Sequence, residues 1–120
     1  MRYMMLIKHP DDYHHKDVPP SLFPAMGEFV QESIRKGVLL DGAGLKPLTY
    51  ATRVRLAGGK IKVTDGPFAE AKEVVGGYSI CEFKTHEEAI EMAKGFMEVH
   101  RIHWPSFEGE CEVRPLEDMG

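Results

Sequence analysis

The sequence contains few cysteines, no long apolar run and no cluster of basic residues. Its two cysteines are too few for the disulfide framework of a small secreted domain. The longest apolar run is the five residues 3–7, whereas a membrane-spanning helix needs about 20 apolar residues and a signal peptide at least about 7. The 15 Lys and Arg are scattered among 19 Asp and Glu, which disfavours nucleic-acid binding because phosphate affinity depends on grouped cations. We therefore predict a cytoplasmic protein that binds neither a membrane nor nucleic acid.

The composition is that of a folded globular chain. Hydrophobic residues make up 42% and charged residues 28% of the 120 residues, close to the average for globular domains. This length suits one hydrophobic core and is too short for two, so residues 1–120 are predicted to form a single domain. Cys81 and Cys111 lie in alternating apolar stretches, where a buried and reduced thiol is the usual state.

Hydrophobic spacing predicts the secondary structure. Strands are expected at residues 2–8, 38–40, 52–56, 60–64, 78–83 and 108–114, and helices from residue 21 to a stop at Gly37 and from residue 86 to 100. Ser21 and Thr85 are candidate N-caps of the two helices, and residues 11–20 are predicted to be a loop. Glycines at 42 and 44 should end the second strand, and residues 57–59 should form a hairpin turn.

This order of elements predicts an α+β fold. A β–α–β unit, an inserted β-hairpin and a second β–α–β unit correspond to the ferredoxin-like or split βαβ plan, with both helices on one face of an antiparallel sheet. In the first strand, Tyr3 and Met5 alternate with Met4 and Leu6, so both faces of the sheet are expected to be apolar. Because two helices cover only one face, we predict that a second copy covers the other in a homodimer.

One segment resembles a known family. The run Asp65-Gly66-Pro67-Phe68-Ala69-Glu70-Ala71-Lys72-Glu73, followed by Gly76-Gly77-Tyr78, is similar to the YCII-related superfamily in its DGPF-domain branch. The resemblance extends to Tyr3-Met4, to residues 41–45 and to residues 112–115. It implies ferredoxin-like subunits that dimerise into an α/β barrel.

For function, the resemblance implies several possibilities. A few distant relatives are small-molecule lyases or dehalogenases, and some DGPF domains are encoded beside or fused to extracytoplasmic-function sigma factors. Wider superfamily members often carry a histidine near the start of the first helix, which could act with an aspartate as an acid–base pair. The corresponding residue here is Met26, whose thioether cannot transfer protons, so that mechanism does not carry over directly.

Asp65 is the main catalytic candidate. It lies at the end of a predicted strand beside a glycine-bordered loop, where open sites on a rigid scaffold are often found. As an acid or base it would support lyase or isomerase chemistry without a cofactor. The alternative is structural, since an Asp-Gly pair begins turns and the carboxylate can cap the short segment led by Pro67.

Five further residues are candidates for substrate binding, each with a structural alternative. Glu70 and Lys72 place opposite charges on the loop and can contact a polar ligand, but such residues are commonly only solvated. Phe68 can contact the ligand or anchor the loop. Tyr78 offers a hydroxyl at the cleft edge or packs in the core, and His9 offers an acid–base group at the end of the first strand.

No cofactor is implied by the sequence. The chain lacks a phosphate-binding loop, a complete dinucleotide fingerprint and a serine nucleophile motif. His100 and His103 have the spacing of two ligands on one helical face, with Glu98 near them in sequence and His14-His15 in the preceding loop. Histidines at a helix C-terminus also occur because they interact favourably with its dipole, and no metal site is predicted.

Three functions remain open from the sequence. The first is a homodimer that binds a small polar organic molecule near the loop of residues 65–73 and acts on it by acid–base chemistry. The second is a noncatalytic ligand-binding or regulatory module that contacts a protein such as a sigma factor. The third is a structural dimer without a ligand.

Overall fold

Six strands and two α-helices form the part of the chain that the computed structural model describes, residues 1–10 and 18–117. The elements are β1 Arg2–His9, α1 Leu22–Arg35, β2 Leu39–Gly44, β3 Thr52–Ala57, β4 Lys60–Asp65, β5 Val74–Glu82, α2 His86–His103 and β6 Glu110–Pro115. A short 3-10 turn, Leu48–Tyr50, precedes β3. Most of the predicted loop before α1 and the pair His14-His15 lie outside the described residues.

The main sheet has four strands in the order β2-β5-β1-β6, and all neighbouring strands are antiparallel. Each helix connects two parallel strands that have a third strand between them, which is the split βαβ arrangement. The predicted α+β class is confirmed, and this strand order is compatible with the ferredoxin-like plan. Strands β3 and β4 form a separate two-stranded sheet, as the glycine turn between them predicts.

Two strands continue through glycines where the sequence predicts interruptions. Strand β2 does not end before Gly42 but continues to Gly44, and β5 begins at Val74 rather than at Tyr78. A Cβ atom at Gly42 would lie 2.9 Å from the Tyr78 carbonyl oxygen. Small residues therefore permit close pairing of β2 with β5 instead of breaking the strand.

The two helices differ in how they begin and in how deeply they are buried. The Thr85 hydroxyl accepts a hydrogen bond from the Glu88 amide at 3.2 Å, which confirms the predicted cap of α2. Ser21 occupies the predicted N-cap position of α1, but its side chain makes no capping bond, and its Oγ lies 3.2 Å from Nδ1 of His103 instead. Helix α2 contributes Ala89 and Ala93 to the core, whereas α1 leaves many of its residues exposed.

The core lies between α2 and one face of the main sheet. Tyr3, Met5 and Cys81 of the strands pack there against small residues of α2, and Tyr3 also contacts the His86 ring edge-to-face at 5.5 Å. Burial raises the pKa of the Cys81 thiol, and both cysteines are free as predicted. The small side chains of Ala89 and Ala93 allow α2 to pack closely against the sheet near the start of β1.

The opposite face of the sheet, which we call the helix-free face, is apolar only in its centre. Met4 pairs with Ile80 and Leu6 pairs with Tyr78, and all four are half-buried. On the β6 side, the sequence-based expectation of an apolar face is wrong, because charged residues alternate with apolar ones along this edge strand. The charged residues on that side are Glu110, Glu112 and Arg114, which pair with Lys8, Leu6 and Met4 of β1.

The hairpin β3–β4 projects from the rest of the molecule. Every residue of both strands is exposed, and pairs such as Val54–Val63 and Leu56–Ile61 form an apolar face that the described residues leave uncovered. The radius of gyration is 16.1 Å, whereas a compact chain of this length has about 13.6 Å. Neither helix of the described part of the chain is long and apolar enough to cross a bilayer.

Candidate functional site

A cavity of about 580 Å³ lies between α1 and the helix-covered face of the main sheet. Its floor is formed by Met5 and Ile7 of β1 and by the glycine-rich parts of β2 and β5, which have few side chains to fill the space. Its other wall is α1, whose apolar residues face the sheet as their helical spacing predicts. Met26 is one of these residues and borders the cavity.

Aromatic rings close the end of the cavity that lies near the C-terminus of α2. Phe29 of α1 contacts Phe96 of α2 with ring centroids 5.8 Å apart. Trp104 and Phe107 follow α2, and their centroids lie 5.1 Å apart. Trp104 is the only tryptophan of the chain, and it both borders the cavity and packs on Phe107 of the connection to β6.

His100 is buried in this aromatic wall. Its ring lies 4.7 Å from the Phe96 ring and 4.8 Å from the Phe107 ring, measured between centroids. Nδ1 lies 3.0 Å from the Phe96 carbonyl oxygen, and because a carbonyl only accepts hydrogen bonds, Nδ1 carries the proton. Burial lowers the pKa of His100, so the neutral imidazole is favoured and Nε2 keeps its lone pair.

His9, a predicted substrate-binding residue, also borders the cavity. Its ring contacts Phe107 edge-to-face at 6.4 Å. A Cβ atom at Gly76 would lie 2.5 Å from Nε2 of His9, so only glycine leaves room for the imidazole there. Gly76 is the extra residue of a bulge in β5, which places this ring against the strand.

Tyr78 borders the cavity, but the strand alternation directs its side chain elsewhere. Tyr78 pairs with Leu6, and Met5 on the neighbouring position of β1 faces the core. Side chains that lie directly opposite each other in an antiparallel pair share a face, so the Tyr78 ring lies on the helix-free face. The same argument places Asp41, the partner of Ile80, on that face.

The end of β4 and the loop after it hold the remaining predicted site residues, and none of them belongs to the described cavity lining. Asp65 is exposed, and its Oδ1 accepts a hydrogen bond from the Thr52 hydroxyl at 3.1 Å. The carboxylate therefore connects the two strands of the hairpin at its base. Lys72 is exposed as well.

Phe68 and Glu70 contact the hairpin through Arg53. Phe68 is buried, and the Arg53 guanidinium lies 3.6 Å from the centre of its ring. Nη1 of Arg53 also donates a hydrogen bond to Glu70 at 2.5 Å. The pKa of Glu70 is lowered, first by a backbone hydrogen bond and then by the bond from Arg53. These contacts are those of an anchored loop, the structural alternative considered for Phe68.

The candidate metal ligands do not converge. Within residues 1–10 and 18–117, no three His, Cys, Asp or Glu side chains are placed to hold a metal ion. His100 faces aromatic rings, while His103 contacts Ser21 and Glu98 pairs with Arg101. The second histidine pair considered with them lies outside the described residues.

Sequence reasoning identified His9 as a site candidate but missed His100 as part of a cavity. The sequence suggests His100 only as a metal ligand at a helix end. The signal that could have found it is its spacing from Ala93 and Phe96, which puts it on the same face of α2 as the core residues. The cavity itself forms because two neighbouring strands carry several glycines. The sequence shows these glycines, but assigning the two segments to strands does not by itself predict a cavity.

Comparison with known proteins gives two matches. A family model of the YCII-related domain matches residues 1–103, which include most of the cavity lining and the loop after β4. An uncharacterized protein of Rhizobium meliloti (strain 1021) is 36% identical to this chain over 83 residues. That alignment covers 69% of this chain and 63% of the relative, so the chain spans less than two thirds of the relative's length.

Proposed function

Because this chain belongs to the family of YCII-related domains, we propose that it is a small-molecule-binding member of that family and that its ligand occupies the cavity between α1 and the sheet. The observation that carries the proposal is the cavity itself. Its volume of about 580 Å³ lies within the range of about 300–1,000 Å³ that is usual for ligand sites. A mostly apolar lining with a few polar groups, here His9, Ser79 and His100, is also typical of such sites.

We assign the chain to the DGPF-domain branch on the basis of residues 65–73. In this structure the contacts of Asp65, Phe68 and Glu70 hold the loop to the hairpin. The proposed acid–base role of Asp65 gains no support from the cavity, whose described lining does not include it. That role therefore requires a second subunit to bring the loop to the cavity, or a ligand that extends beyond it.

We also propose that two copies associate through their helix-free faces, as in the ferredoxin-like dimeric α/β barrels that the family resemblance implies. The apolar centre of this face would become the interior of the interface, and the charged β6 side would form its polar rim. Lys8 donates a hydrogen bond to Glu112 at 2.5 Å on that rim, and this bond raises the pKa of Lys8. The pKa of Glu112 is lowered by its hydrogen bonds to Lys8 and Arg114.

Ligand binding is tested with a variant that fills the cavity. Replacing Met26 by Trp places a larger side chain in the cavity wall, whereas Gln31→Trp puts the same side chain on an exposed position of the same helix. Small organic molecules are first screened against the native chain by the rise in melting temperature and then by calorimetry. We expect a hit to lose at least about tenfold in affinity with Met26→Trp and to bind Gln31→Trp unchanged; equal binding to both variants would place the ligand elsewhere.

Association is tested by charge substitution. Leu6→Glu puts a charge in the centre of the helix-free face, and Leu56→Glu makes the same change on the exposed hairpin. Sedimentation of the native chain and of Leu56→Glu is expected to give twice the chain mass of 13.5 kDa, and Leu6→Glu is expected to give the single mass. A native chain that sediments as a monomer at micromolar concentration would refute the proposed dimer.

The same screen separates the functions that the sequence leaves open. Chemical conversion of a hit supports the lyase or isomerase function, which is the first hypothesis. Saturable binding without conversion supports a noncatalytic ligand-binding module, of which contact with a sigma factor is one form. A cavity that takes no compound supports a structural dimer.

A further inference from the structure

The charges that border the cavity do not point into it. Apart from histidines, Asp41 and Lys46 are the charged residues among its described lining. Asp41 lies on the helix-free face, where its Oδ1 accepts a hydrogen bond from the Gly42 amide at 2.8 Å. The Lys46 ammonium lies 5.0 Å from the centre of the exposed Tyr50 ring, outside the lining. Apart from its two histidines, the described wall therefore offers neither a cation to balance a carboxylate or phosphate nor an anion to balance an amine, so burial of a charged ligand there would be poorly compensated.

The apolar part of the wall is rich in flat and polarizable groups. Phe29, Phe96, Trp104 and Phe107 surround the end of the cavity near His100, and three methionines also line it, namely Met5, Met26 and Met92. Aromatic rings prefer edge-to-face or offset contacts with other rings, and thioethers adapt to irregular shapes. This surface suits a ligand with a flat apolar ring system rather than a strongly hydrated polar ligand.

One buried polar group provides orientation. His100 is 6% exposed, and Nδ1 is committed to the Phe96 carbonyl. Within residues 1–10 and 18–117 the ring makes no other hydrogen bond, and no buried side-chain nitrogen or oxygen lacks a partner there, so the unpaired acceptor Nε2 of this cavity-lining residue remains accessible to solvent. A ligand that displaces the solvent at His100 would leave this acceptor unpaired unless it brings a donor, and an unpaired buried polar group is costly.

We infer that the cavity takes an uncharged organic molecule with an aromatic or similarly flat apolar body and a hydroxyl or N–H donor, and that Nε2 of His100 accepts the hydrogen bond from this donor. The inference rests on the proposed function, because it concerns the same cavity. It makes His100 the residue that determines specificity between molecules of equal shape.

Three probes of similar shape test the inference. Para-tert-butylphenol carries the donor, para-tert-butylanisole replaces it by a methyl ether, and para-tert-butylbenzoate carries a charge. Quenching of the single tryptophan, Trp104, reports binding because this side chain lines the cavity. We expect the phenol to bind about tenfold more tightly than the anisole, a factor that one net hydrogen bond supplies. The benzoate should bind at least about tenfold more weakly than the anisole.

Matched variants assign the preference to His100. His100→Phe keeps an aromatic ring between Phe96 and Phe107 but removes Nε2, and His103→Phe makes the same change one turn later, outside the cavity lining. We expect the ratio of phenol to anisole affinity to fall to within about twofold in His100→Phe and to stay near tenfold in His103→Phe. Retained binding of the anisole shows that the His100→Phe cavity is intact.

The possible failures are distinguishable. Equal affinity of the native chain for phenol and anisole, or an unchanged ratio in His100→Phe, would overturn the role of His100 while leaving a ligand in the cavity. Tighter binding of the benzoate would overturn the inference that the ligand is uncharged. Absence of binding for all three probes, together with a screen that yields no ligand, would overturn the proposed function itself.

Discussion

Gly95 offers a test of how the two helices pack beside the cavity. It lies in the interior of α2, where glycine is less favourable than alanine by about 1 kcal/mol. A Cβ atom there would lie 3.1 Å from Cε2 of Phe29, closer than ordinary van der Waals contact. Gly95→Ala therefore combines a favourable change in helix propensity with an unfavourable contact across the α1–α2 interface.

The magnitude depends on whether the Phe29 ring can move. Phe29 is half-buried and borders the cavity, so its ring has room on the cavity side for a shift of a few tenths of an ångström. We therefore expect the contact to cost about 0.5 kcal/mol and Gly95→Ala to stabilise the protein by about 0.5 kcal/mol, or about 2 °C in melting temperature. The displaced ring should also narrow the cavity and weaken probe binding.

Gly27 supplies the matched control. It lies inside α1, and a Cβ atom there would have no neighbour within 4 Å. Urea denaturation of Gly27→Ala should show the full gain of about 1 kcal/mol, and Gly95→Ala should reach the same gain when Phe29 is replaced by Leu. If Gly95→Ala destabilises the protein by more than about 1 kcal/mol whether residue 29 is Phe or Leu, the packing described for Phe29 is wrong.

Three further predictions concern single side chains. Burial raises the pKa of Cys111 to about 11, so alkylation of the native thiol at pH 8 should be on the order of 100-fold slower than that of a free cysteine, and mass spectrometry after timed labelling measures this rate. Burial lowers the pKa of His100 below its ordinary value of 6.5, so the unfolded chain takes up the proton first; the stability of the native chain should fall relative to His100→Phe as the pH drops below about 6.5, as urea titrations at several pH values would show. Asp65→Asn keeps an oxygen for the Thr52 hydroxyl and should change the free energy of unfolding by less than about 0.5 kcal/mol. Loss of turnover at unchanged ligand affinity would support the acid–base role of Asp65, and full turnover in Asp65→Asn would exclude it.

Much of the fold is predictable from local patterns. The alternation in β1, the Thr85 cap and the glycine turn between β3 and β4 each act over a few residues, and each is found as predicted. The sequence predicts the wrong extents for β2 and β5, because glycine lowers strand propensity locally whereas the pairing of the two strands stabilises them over a longer distance. Tertiary pairing decided those boundaries.

The site was less predictable because it depends on how separate elements meet. Residues 65–73 attract attention as a motif, but their contacts with Thr52 and Arg53 are specific to the folded hairpin. The cavity arises where glycines of two strands face an amphipathic helix, and no contiguous segment shows this. His100 becomes notable only when its two ring neighbours, its single hydrogen bond and its burial are known together.

The projecting hairpin bears on how unfolding experiments with this protein are interpreted. A two-stranded ribbon with solvent on both sides gains little from burial and is marginally stable by itself. In an isolated chain it can open before the four-stranded sheet does, so amide exchange should be fast in the ribbon and slow in the sheet. The fluorescence of Trp104 reports only on the unfolding of the part that contains the four-stranded sheet, whereas the calorimetric enthalpy includes the opening of the ribbon as well. Disagreement between the two measurements would therefore indicate subglobal opening, which a partner that covers the ribbon would suppress.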